Sequence, residues 1–99
     1  MTDRIGCLVQ ATAGRDKDGL FFVVGVDEAG ERLLLADGKR RKAAKPKAKQ
    51  FGHVQPVDLG DFDPPVRRKL QQHAPVCDRE LRMALAAFKG GNHAWQKTI

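Results

Sequence analysis

The sequence predicts a mainly β domain, a small five-stranded barrel over residues 1–57, with a C-terminal helical extension behind it. Three observations carry this expectation. Short apolar runs recur between Ile5 and Val57, separated by turns that carry Gly and Asp. Past Pro56 the composition becomes acidic and rich in breakers, and beyond Pro65 the apolar spacing changes from alternation to a three-four repeat. With 99 residues, the chain has room for one such domain and none for a two-domain enzyme.

The first strand is expected over Ile5 to Thr12, where Ile5, Cys7, Val9 and Ala11 alternate with Gly6, Leu8, Gln10 and Thr12. Ala13 to Gly19 is polar and contains two glycines able to take positive φ, so it reads as a hairpin loop. Leu20 to Val26 is apolar on both faces, as a central strand would be. Asp27 to Glu31 forms the next turn, Arg32 to Ala36 the third strand, and Asp37-Gly38 a two-residue turn of the type I′ class. A fourth strand is expected near Lys39 to Ala43, interrupted by Pro46, which has no ladder donor, and the pattern resumes around Phe51 to Val57.

Residues 58–65 read as a linker, since Asp58, Asp61 and Asp63 alternate with Gly60, Pro64 and Pro65. Residues 66–91 form the expected helical extension. A short helix capped by Asp63 and entered through Pro65 places Val66 and Leu70 on one face and ends at Ala74-Pro75. A second helix over Val76 to Lys89 sets Leu81, Ala84, Leu85 and Phe88 at i, i+3, i+4 and i+7, and Gly90-Gly91 stops it. Residues 92–99 form a flexible tail in which Trp95 is free to dock.

Composition narrows the function. Lys and Arg number 18 against 12 Asp and Glu, a formal charge of +6, so the surface should attract phosphate-rich partners. Cys7 and Cys77 are too few and too far apart in sequence for a disulfide scaffold and are read as reduced thiols. The opening residues show no apolar export segment, and no run approaches a membrane span, so a soluble, cytoplasmic protein is expected.

No catalytic site is expected. The chain has no Gly-x-Ser-x-Gly, no Cys-x-x-Cys and no phosphate loop. His53, His73 and His93 fall in three separate predicted elements, so no metal site and no cofactor are expected. Asp61 and Asp63 read as solubilising acids that help to start a helix.

The segment from Lys39 to Lys49 stands apart, with Lys39, Arg40, Arg41, Lys42, Lys45, Lys47 and Lys49 and no acid. Seven cations cannot all be buried, and their mutual repulsion calls for counterions or a partner. A solvated loop is the plain counterpart, but the complete absence of acids favours a polyanion, and at this size RNA. Gly14-Arg15-Asp16-Lys17 adds a glycine turn, a planar guanidinium and a point charge, although such a turn is also common on ordinary hairpins. Phe21, Phe22 and Phe88 are read as core, which leaves Phe51 and Trp95 as the aromatics on which a base could stack.

Taken together, Gly6-Cys7-Leu8-Val9, Ala13-Gly14-Arg15-Asp16-Lys17, Phe22-Val23-Val24, Leu34 to Lys42, Lys45-Pro46-Lys47 and His53-Val54 resemble the bacterial KOW-domain RNA-binding proteins, small relatives of ribosomal protein L14e. The likeness covers about residues 5 to 57, and Glu80-Leu81-Arg82 with Ala84-Leu85 extends it into the second helix. It implies an SH3-like barrel that binds RNA, with ribosomal RNA and ribosomal proteins as natural partners. Gly14 would shape the KOW turn, and Arg15, Lys17, Lys39, Arg40, Arg41, Lys42, Lys45, Lys47, Lys49 and His53 would be the candidate RNA contacts. One departure is that Asp18-Gly19 follows Lys17 where the family often has Gly-Arg, so either a residue is inserted or an acid replaces the glycine. The competing expectation is a protein-interaction module of the translation or transcription machinery, docking through Leu81, Leu85 and Phe88.

Overall fold

The computed structural model describes residues 4–90, so the expected tail over 92–99, with His93 and Trp95, lies outside the described residues. Five antiparallel strands, β1 (Leu8–Ala11), β2 (Leu20–Asp27), β3 (Arg32–Ala36), β4 (Lys47–Gln50) and β5 (Val54–Pro56), form one sheet in the order β4-β3-β2-β1-β5. Two helices follow, α1 (Pro65–Gln71) and α2 (Asp78–Lys89). β4 and β5 are the two margins of the sheet, yet they are consecutive in the chain and joined by one 3-10 turn, Phe51–His53. The sheet therefore has to curl to bring its margins towards that turn, and they do not pair, so it is not a closed barrel.

Register explains the core. Leu8 lies opposite Phe22 and Val9 opposite Phe21, while Val23 and Phe22 face Leu35 and Ala36. Between Val23 and Gly25 the β2–β3 register shifts by a residue. A bulge at this point sharpens the twist and bends the long central strand. Leu8, Val9, Phe21, Phe22, Val23, Leu33 and Leu35 are all buried.

The helices complete that same core. Val66, Leu70, Leu81, Ala84 and Leu85 are buried in one cluster with the strand residues, which is where the three-four spacing of α2 directs them. Leu81 and Leu85 are thus taken up inside the molecule, with Phe88 half-buried beside them. The acidic stretch before α1 also packs, because Phe62 is buried with its ring 5.6 Å from that of Phe88.

Several expected boundaries need correction. The fourth strand lies at Lys47–Gln50 and not at 39–43, which is a loop. The turn after β3 is wider than two residues, since the N–H groups of Asp37 and Gly38 both donate to the carbonyl of Arg41. The N-cap of α1 is Pro64, with Pro65 at the first helical position, where its missing N–H costs nothing. Asp63 instead lies 3.7 Å from Arg67 and 3.9 Å from Arg68. α2 starts at Asp78 behind Cys77, in a capping box where the Cys77 N–H donates to Glu80 and the Glu80 N–H donates to the Cys77 sulfur.

Candidate nucleic-acid interface

β2 begins where β3 ends, with Phe22 opposite Ala36, so the loop entering β2 and the loop leaving β3 emerge on the same side. In the first loop Lys17 N–H donates to Gly14 carbonyl and Gly19 N–H to Asp16 carbonyl, two successive tight turns. Gly14 has φ of +81°, as its turn role requires. Gly19 does not take positive φ; Asp18 does, at 72°.

In the second loop the Asp37 carboxylate organises the backbone, accepting from the N–H groups of Lys39 and Arg41, each at 2.9 Å. This Asx-type arrangement competes with strand pairing. It accounts for the loop found where a strand is expected.

Asp16 links the two loops. Its side chain is 2% exposed, and Arg41 grips it with Nη2 at 2.8 Å and Nε at 3.3 Å. Burial pushes the Asp16 carboxyl up, but the Arg41 hydrogen bonds, with the charges of Arg41, Lys49 and Arg40, outweigh this and hold it below its ordinary value. Lys49 is the second tie. Paired with Leu33 on the core-facing side of β4, it is 8% exposed and donates its ammonium to the Ala13 carbonyl at 2.6 Å. A Cβ on Gly14 would lie 2.8 Å from that ammonium.

The structure therefore divides the expected contacts. Arg15, Lys17, Lys39, Arg40, Lys42, Lys45, Lys47 and His53 are exposed, as is Gly14. Arg41 and Lys49 are not available as free contacts, because one neutralises a buried acid and the other caps a carbonyl. His53 stands beside the first loop through its carbonyl, which accepts from Thr12 N–H at 2.8 Å. Phe51 is half-buried with the Arg4 guanidinium 5.2 Å from its ring centre, so that face is already occupied.

No protein-family model matches the chain, and no curated protein is significantly similar to it.

Helix α2 contributes two loop contacts that the sequence did not point to. The Asp78 carboxylate accepts from Ala43 N–H at 2.7 Å, and Arg82 donates to the Gly38 carbonyl at 2.7 Å. Gly38, at φ +79°, fits against the helix so closely that a Cβ would lie 2.2 Å from the Asp78 carbonyl oxygen. The basic loop is thus fastened at one side to β1–β2 and at the other to α2. An acid at the first position of a helix is ordinarily read as a partner of the helix dipole, which hides its role as a loop clamp. No helix among the described residues is long and apolar enough to cross a membrane.

Proposed function

We propose that the protein is a non-enzymatic RNA-binding module that captures structured RNA, ribosomal RNA foremost, on the cationic surface formed by its two clamped loops. The observation that carries this is the Asp16–Arg41 bridge, which spends one cation to fix two loops and leaves seven other Lys and Arg side chains of those loops and the start of β4 exposed. Charges held at fixed spacing repel one another, and the counterions or phosphates they gather are released or bound together. Among the described residues every phenylalanine is buried or half-buried, and the exposed rings are the imidazoles of His53 and His73. Readout by phosphate position and helix shape is therefore favoured over base stacking.

A curled five-stranded sheet whose fourth and fifth strands meet through a 3-10 turn is what a partly open SH3-like barrel of the KOW type would look like. Asp18 supports the same reading. It occupies a left-handed conformation that glycine takes at lower cost, as expected where an acid stands in a glycine position. The rival, docking through α2, would require a partner to extract Leu81 and Leu85 from the core.

The test is co-sedimentation with ribosomal particles, and binding to a ribosomal RNA hairpin, across a salt series. If about five loop cations meet phosphates, log affinity should fall with log salt at a slope near −4. Replacing Lys42, Lys45 and Lys47 together with Gln should reduce that slope by about 2 to 3. A slope near zero for the wild type, or one the triple variant leaves unchanged, would remove the reading.

A further inference from the structure

Arg82, Leu85, Ala86 and Lys89 follow one another at i, i+3, i+4 and i+7, so they form a single stripe along α2. Across from this stripe lie Asp37 and Lys39 of the basic loop, and the space between is an open cleft of about 260 Å³ lined by these six residues. Three cations, Lys39, Arg82 and Lys89, line the cleft, and its apolar floor is the exposed Ala86 with the edge of the largely buried Leu85. Its one acid, Asp37, keeps its charge and uses Oδ1 to accept from the backbone N–H groups of Lys39 and Arg41, so three cations face one carboxylate. None of the three cations forms an ion pair with another described residue. Arg82 spends one N–H on the Gly38 carbonyl, and that bond aims the rest of its planar fork beside the loop.

We infer that this cleft is a further RNA subsite, which takes a backbone phosphate between Lys39, Arg82 and Lys89 and sets the adjoining ribose on Ala86 and the edge of Leu85. This rests on the RNA-binding reading above and extends it from the loops to the helix. Arg82 and Lys89 are separated by about 10 Å along the helix axis, so the cations bracket the floor at both ends. A cleft that is lined by cations and apolar at its base suits a sugar-phosphate unit better than a free inorganic anion, which has no use for the floor.

The experiment uses the full chain and a fluorescently labelled ribosomal RNA hairpin, with affinity measured from 50 to 200 mM salt. Lys89→Gln is the principal variant, since Lys89 is exposed and its side chain makes no hydrogen bond to another described residue. Its slope should drop by about one, so that the affinity ratio between the two salt concentrations shrinks about threefold. Arg82→Gln should do the same, with its melting temperature recorded to separate loss of a contact from loosening of Gly38. Arg32→Gln is the control, because Arg32 begins β3 beside the β2–β3 turn, away from the basic loop, and should leave the slope unaltered.

If the wild type binds with the steep slope and the Lys42, Lys45 and Lys47 replacement flattens it while Lys89→Gln and Arg82→Gln do not, the subsite is overturned and the loop reading stands. If the wild type shows no salt-dependent RNA binding, both fall.

Discussion

Asp16 is the buried acid through which the two loops are tied together. Its depressed carboxyl makes its contribution to stability complete above the ordinary value of 3.8, and that contribution is lost as pH falls through the lower value of the folded state. Asp16→Asn should cost about 2 kcal/mol at neutral pH, the range for a hydrogen bond to a charged group whose partner is partly exposed. It should also flatten the acid limb of the stability curve below pH 4, which urea melts across pH 2.5 to 7 would reveal. Asp18→Gly should have the opposite sign. It relieves the left-handed backbone, removes an exposed negative charge from the loop, and should raise stability by up to about 1 kcal/mol while tightening RNA binding. Lys49 shows where composition misleads. Counted among seven cations it reads as a surface charge, but its place opposite Leu33 turns its stem inward, while Lys47, two residues earlier on the same face, stays exposed, so alternation alone does not tell the two apart.

At the scale of elements, β2, β3 and α2 were legible because their apolar periods are long and their ends are marked by Asp, Gly and Lys. The 39–43 stretch was not, because Asp37 directs it through side-chain hydrogen bonds that leave no trace in hydrophobic pattern. The clamp by Asp78 and Arg82 was equally hidden, being a contact between segments some 40 residues apart in sequence. Gly38→Ala tests that clamp. Its Cβ would clash with the Asp78 carbonyl and its φ would be strained, so a loss of at least about 2 kcal/mol is expected in chemical denaturation. Helix α1 ends in a Schellman arrangement, with Ala74 N–H donating to Lys69 carbonyl and His73 N–H to Leu70 carbonyl, but His73 sits at φ 59° where glycine is usual. His73→Gly should therefore stabilise the protein by up to about 1 kcal/mol, measurable as a raised melting temperature.

For the whole molecule, the shared core decides what can be separated. A chain ending at Val57 would lose Val66, Leu70, Leu81, Ala84 and Leu85 from the interior. At about 1.5–3 kcal/mol for each large apolar side chain, that loss is comparable with the roughly 5–15 kcal/mol by which a domain is stable. The truncated chain should show no cooperative thermal transition by circular dichroism, so the helices are a structural part of the sheet domain. The sheet itself was expected to close, and short-range sequence pattern gave no means of seeing that its margins do not pair. Those margins have a consequence for the protein in concentrated solution. β5 is three residues long and ends in Pro56, and β4 is four residues long and opens on the exposed Lys47. A stray strand seeking amides to template upon finds few donors on one side and positive charge on the other. Crowded copies should stay apart from one another, and fibril growth by lateral strand addition should find no foothold.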